Sequence, residues 1–187
     1  MATGLGLNDL ARHNRSAVIA LVRRTGGISR TELARSLRLT RAAMTKIAAN
    51  LLDAGILREV HVNSLARGLP RARLEINPDW GHVLAIGLTS TISVGIVDMT
   101  GRLAHYERVA FDGTPPYPSC KASFDTALPE AVQRLLREWA PRRLLGVGVI
   151  SGGYVDRSGV IRLNHRLPRP DVDMRQVLAT WTDLPVH

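Results

Sequence analysis

The chain has 187 residues, 25 Lys and Arg against 16 Asp and Glu, one cysteine and a formal net charge of +9. The length allows two modest domains, and Cys120 alone excludes an internal disulfide or a cysteine zinc cluster, which fits a reducing, cytoplasmic setting. The longest apolar stretch, residues 83–97, is broken by Gly, Ser and Thr and is too short and polar to span a bilayer, and residues 1–14 lack a secretory pattern.

In chain order, residues 14–22 predict a first helix, with Ala17, Val18, Leu21 and Val22 as its apolar stripe. Gly26 and Gly27 end it, and Ile28 precedes a Ser29/Glu32 pair at capping-box spacing. A second helix with Leu33, Ala34 and Leu37 inward follows, then a tight turn. Thr40 can cap a third helix that runs toward Gly55. At about 100° per residue, Met44, Ile47, Leu51 and Ala54 share its packing arc, while Ala42, Thr45, Lys46 and Ala49 lie opposite. This is the pattern of a helix-turn-helix, whose second helix meets base edges with its amino-terminal half. An ordinary amphipathic hairpin of helices gives a similar pattern. Charge favours the DNA reading, because residues 1–78 carry 13 basic and 5 acidic side chains and residues 79–187 carry 12 and 11.

Residues 56–62 and 72–76 alternate as two strands around the loop Arg67-Gly68-Leu69-Pro70-Arg71, a wing whose arginines suit phosphate or minor-groove contact. Asn77-Pro78 closes this part, giving domains of 1–78 and 79–187. Residues 83–88, 92–99 and 103–111 then read as a meander with one buried face, and Thr100-Gly101 as one of its turns. A helix is predicted over 123–140, shortened at its front by Pro129, and a buried strand over 144–150. The second region is therefore mixed α/β. The six histidines show no metal-ligand spacing, and neither a nucleophile elbow nor a phosphate-binding loop motif is present. No metal site and no catalytic residue are expected in this chain.

Asn14-Arg15, the run Ile28 to Ala34, the helix after Thr40, Gly55-Ile56-Leu57, the Gly-Pro wing and Leu74-Glu75-Ile76-Asn77-Pro78 resemble ROK-family transcriptional repressors. The resemblance continues through Val97-Asp98 with Gly101, residues 145–149, Gly153 with Val155-Asp156, and Leu167-Pro168 with Asp171-Val172. It implies an α/β (α+β overall) chain, a winged helix-turn-helix followed by one lobe of an actin-like, ribonuclease H-type fold. The implied partner is double-stranded DNA, contacted by Thr40, Arg41, Ala42, Thr45 and Lys46, with Arg67, Gly68 and Arg71 on the wing. The implied effector is a sugar or sugar phosphate near Gly153, Asn164 and Arg166, and the full-length protein is expected to be a homo-oligomer.

Three positions depart from the family pattern. Gly87 and Thr89 stand where family kinases carry an Asp and a Gly, which removes the carboxylate anchor for phosphoryl transfer and argues against a sugar kinase. The wing reads Gly68-Leu69-Pro70 rather than Gly-Arg-Pro, and Arg166 replaces an Asn that touches sugar hydroxyls. The chain also stops where family members continue into a zinc site and a second lobe, so a truncated form is expected: no cofactor here, an incomplete effector cleft, and DNA binding without sensing as the alternative.

Overall fold

The computed structural model describes residues 7–62, 71–89, 91–109, 123–164 and 167–187, and the chain divides into two compact units, 1–80 and 81–187.

Unit 1 opens with α1 (Leu7–Thr25), a longer helix than the 14–22 predicted. Its added turns carry exposed Leu10, Ala11, Arg12 and His13, so no inward stripe marks them, and an Arg12–Asp9 pair at 2.6 Å spans one turn. Val18, Leu21 and Val22 are the buried part of its stripe. Helix α2 (Arg30–Ser36) begins with the capping box as expected: the Glu32 amide donates to Ser29 Oγ, and the Ser29 amide donates to the Glu32 carboxylate at 3.0 Å. Helix α3 (Arg41–Asp53) is capped by Thr40, whose Oγ1 accepts from the Ala43 amide at 3.2 Å.

The buried arc of α3 is Met44, Ala48 and Leu51. Ile47 is only half-buried and Ala54 is exposed, which corrects the predicted arc. The helix is rotated so that a small Ala48 side chain faces the core, and its methyl permits close helix packing that an isoleucine there would prevent.

Gly55, at φ +70°, closes α3 in a Schellman turn, its amide donating to the Leu52 carbonyl and that of Ile56 to Leu51. The Trp80 indole and Asn77 amide nitrogens donate to the carbonyls of Ala54 and Gly55 at 2.8 and 2.9 Å, which satisfies groups the helix leaves unpaired. Strands β1 (Leu57–Val62) and β2 (Arg71–Ile76) pair antiparallel with Leu57 opposite Ile76 and Val62 opposite Arg71. Ile28 pairs with Leu74 on the other side of β2, their amides and carbonyls exchanging bonds of 3.1 and 2.9 Å. The residue read as a lead-in to the Ser29 cap is thus also a short third strand.

Unit 2 is built on a four-stranded sheet in the order β5-β4-β3-β6, with β3 (His82–Leu88), β4 (Ile92–Asp98), β5 (Leu103–Arg108) and β6 (Leu144–Ser151). The first three form the expected antiparallel meander, and β6 runs parallel to β3. Residues 185–187 extend the sheet beyond β6, with bonds of 2.8–2.9 Å linking Pro185 and His187 to Val147 and Val149. Gly146 makes room for that approach, since a Cβ there would lie 2.8 Å from the Pro185 carbonyl oxygen. A π-type turn over Ser123–Ala127 leads into α4 (Leu128–Trp139), so Pro129 falls in the first α turn, where its missing N–H costs nothing. Phe124, Leu128, Ala131, Val132 and Leu135 pack from this segment into one core with Leu84, Ile86, Val94 and Ile96 of the sheet.

Strand β6 is less buried than predicted, with Ile150 68% exposed at its end. Beyond it lies a small antiparallel sheet of β7 (Tyr154–Val155), β8 (Val160–Leu163) and β9 (Val172–Asp173), leading into α5 (Met174–Ala179). These strands have two to four residues, too few for periodicity to mark them.

Two turns of unit 2 share one device. In Val97-Asp98-Met99-Thr100-Gly101 and Val155-Asp156-Arg157-Ser158-Gly159, an Asp Oδ1 accepts from the amide and hydroxyl two residues on and from the amide four residues on. The following Gly takes φ +89° or +85°. For Asp98, burial opposes the charge, but the Thr100 and Arg102 bonds outweigh it and its pKa is lowered. The Ser158 hydroxyl, with the Val160 amide and Arg162 beside it, holds the Asp156 carboxyl at about 2, below the ordinary 3.8. A lowered folded pKa means that the charged turn contributes fully above the ordinary value and loses that contribution as pH falls toward about 2. In thermal melts, the deficit of Asp156→Ala relative to wild type is expected to be widest at neutral pH and to narrow through this window. A deficit independent of pH would contradict it.

Candidate nucleic-acid interface

The face of α3 turned away from Met44, Ala48 and Leu51 consists of exposed Arg41, Ala42, Thr45, Lys46, Ala49 and Asn50, with Asp53 one turn further on. The small side chains Ala42 and Ala49 leave the helix backbone accessible between the longer polar ones. The Thr45 hydroxyl donates to the Arg41 carbonyl at 2.9 Å, one turn back. With that proton committed, Thr45 offers a partner its oxygen as an acceptor and its methyl as an apolar contact. Arg41 and Lys46 make no ion pair or side-chain hydrogen bond among the described residues. Asn50 was not among the sequence candidates, although its position four residues after Lys46 places it on the same exposed face.

Helix α2 is held before α3 by a turn with its own Schellman bonds. The Arg38 amide donates to the Arg35 carbonyl at 3.3 Å and the Leu39 amide to Ala34 at 2.9 Å. Arg38 occupies the left-handed position at φ +53°, the place that Gly55 fills after α3. For a residue with a Cβ, that conformation costs roughly 1 kcal/mol. Arg35 and Arg38 were also not singled out from sequence; a turn position favouring Gly but occupied by Arg is visible only once the turn type is known.

The wing's strands carry exposed ion pairs, Arg30 to Glu59 at 2.6 Å and Arg58 to Glu75 at 3.1 Å, and the Arg73 guanidinium donates to the Gly27 carbonyl. Exposed pairs of this kind stabilise little by themselves, but they leave those three arginines engaged within the unit. Arg67 and Gly68 lie outside the described residues, as does the side chain of Arg71, whose backbone starts β2.

In unit 2 the structure brings two effector candidates close together. Asn164 is buried, and its amide nitrogen donates to the Leu88 carbonyl at 2.9 Å and to Ser151 Oγ at 3.0 Å. Gly153, at φ +104°, packs against the Leu163 carbonyl and the Asn164 Cα. Both therefore have a structural task at the end of β3 and β6, and Arg166 lies outside the described residues. Gly87 and Thr89 flank Leu88 here, with Ser93 Oγ 2.6 Å from where a Cβ on Gly87 would stand. Among the described residues no group of three or more His, Cys, Asp or Glu could hold a metal ion, and no helix is long and apolar enough to cross a membrane.

Three helices followed by an antiparallel ribbon, with a basic face on the third helix, define a winged-helix module, here joined in sequence to an α/β lobe. No protein-family model matches the chain. Among curated proteins it is 33% identical over 190 residues to the transcriptional regulator Rv0485 of Mycobacterium tuberculosis, covering 100% of this chain and 41% of that protein. It is 22% identical over 191 residues to the DNA-binding transcriptional repressor Mlc of Escherichia coli, covering 97% and 45% respectively, and 27% identical over 177 residues to the dual regulator NagC of the same organism, covering 90% and 41%. The crystal structure of a ROK family transcriptional regulator, a homologue of E. coli Mlc, matches with a TM-score of 0.64 at 20% identity, over 95% of this chain and 45% of that one. The chain is thus similar in sequence to curated transcriptional regulators and in fold to a ROK family regulator, and spans under half the length of the relatives it matches.

Proposed function

We propose that the chain is the DNA-reading module and first effector lobe of a transcriptional repressor of carbohydrate-related genes. The observation that carries this is the exposed face of α3 from Arg41 to Lys46, whose two cations make no ion pair among the described residues, opposite a buried one. Thr40 caps the helix and reaches a phosphate, while Arg41, Ala42, Thr45 and Lys46 face base edges in the major groove. Arg67, Gly68 and Arg71 work from the wing. Names such as repressor Mlc and N-acetylglucosamine repressor among the relatives support a regulatory role and a sugar or sugar-phosphate effector, for which Gly153, Asn164 and Arg166 are the candidate residues. On this reading the full-length protein acts in the cytoplasm as a homo-oligomer and transfers no phosphoryl group, since Gly87 supplies no carboxylate.

The test is a gel shift against duplexes selected from a random pool. Arg41→Ala and Lys46→Ala are expected to weaken binding by about 1–3 kcal/mol where they meet a base edge, and to relax sequence preference at that position. Unchanged affinity and preference in both would refute this placement, and sugar-dependent ATP turnover above background would refute the non-enzymatic reading.

A further inference from the structure

We infer that Arg35 and Arg38 form a clamp for a backbone phosphate of duplex DNA, beside Arg41 at the start of the base-reading face of α3. This rests on the DNA-binding reading above but concerns different side chains, Arg35 and Arg38, and a different part of the ligand.

The three guanidinium-bearing residues line one open cleft of about 330 Å³ together with Thr31, Ala34 and Leu39. They come from the last turn of α2, the turn itself and the first residue of α3. All three are exposed, and none makes an ion pair or side-chain hydrogen bond among the described residues. That is unlike Arg12, Arg30, Arg58 and Arg73 of the same unit, each of which engages a carboxylate or a carbonyl. The nearest acid in sequence, Glu32, is turned back to the amide and hydroxyl of Ser29. Three unneutralised guanidinium groups around one cleft repel one another unless an anion enters, and planar N–H forks match phosphate oxygens.

Arg38 adds a second line of argument. Its left-handed backbone is one that glycine adopts freely, and Gly55 serves in the same type of turn one helix later. An arginine at this position therefore carries a backbone cost that a glycine would avoid. Arg41 lines the cleft at the start of α3, so a duplex seated on α3 brings its flanking strand to Arg35 and Arg38.

The experiment measures binding of the full chain to a random-sequence duplex by fluorescence anisotropy over a range of salt concentrations, with thermal melts in parallel. Arg38→Gly is expected to keep or raise the melting midpoint while weakening duplex binding, and to reduce the magnitude of the salt slope by about 0.9. Arg35→Gln should lose a similar slope increment. Arg24→Gln, an exposed arginine at the end of α1 outside the cleft, should keep the wild-type slope. A wild-type slope in both cleft variants, or an equal loss in Arg24→Gln, overturns the clamp while leaving base reading intact. If inorganic phosphate raises the wild-type midpoint and duplex binding is unchanged in Arg38→Gly, the cleft takes free phosphate and the duplex assignment fails. A wild-type chain that binds no duplex overturns both readings.

Discussion

Leu51→Ala is expected to destabilise the winged-helix unit by about 2–5 kcal/mol, the range for truncating a buried leucine without collapse of the space it leaves. Leu51 is 1% exposed and packs in the same core as Leu33 and Met44. A unit of this size has a total stability on the order of 4–12 kcal/mol, so the change removes a large share of it. At roughly 4–8 °C per kcal/mol, the unit's melting transition should fall by about 10 °C or more. Ile47→Ala is the informative comparison, because helical periodicity alone puts both residues on the packing arc. With Ile47 only half-buried, its loss should be clearly smaller. Equal losses would mean that α3 sits in the rotation expected from sequence, with Ile47 rather than Ala48 facing inward.

Gly153→Ala is expected to cost the second unit more than about 2 kcal/mol, combining a backbone conformation that L-residues rarely adopt with a collision. At φ +104° the new Cβ would press on the carbonyl oxygen of Leu163 and come 3.3 Å from the Asn164 Cα. These are backbone atoms and cannot step aside without opening the pairing of Tyr154 with Leu163. Gly159→Ala provides the contrast. Its φ of +85° is also unfavourable, but its nearest neighbour is the guanidinium end of Arg175, which can swing away. Denaturant titration should rank Gly153→Ala well above Gly159→Ala; equal costs would contradict the packing argument.

The parts legible in the sequence were those with local chemical signatures. Ser29 with Glu32, Thr40 and Gly55 mark helix ends because each satisfies or shapes a backbone group only a few residues away. The strands of the main sheet were legible through their apolar runs, and Thr100-Gly101 through its turn chemistry. What sequence alone did not give depends on partners distant in the chain or on unusual backbone. Ala48 outranks Ile47 because of how closely α3 is packed, which periodicity cannot supply. Strands β7 to β9 are too short to show a pattern, although the second Val-Asp-x-Ser/Thr-Gly turn repeats the first and could have marked the hairpin that contains Asp156. The bond from the Asn164 amide to the Leu88 carbonyl is likewise illegible, because it spans 76 positions. Arg38 carries no signal in the sequence, because propensity gives no reason to expect an arginine at positive φ.

The pairing of Ile28 with Leu74 changes what kind of object the wing is. A two-stranded ribbon offers two open backbone edges, each able to recruit a strand from another molecule. Here β2 is flanked by β1 on one side and by Ile28 on the other, and Leu74 is 1% exposed between them. Over that stretch the ribbon keeps a single open edge, on β1, where Arg58 and Glu59 already hold charged partners across the unit. The device that ties the wing to the entrance of α2 therefore also guards it against sheet-to-sheet self-association.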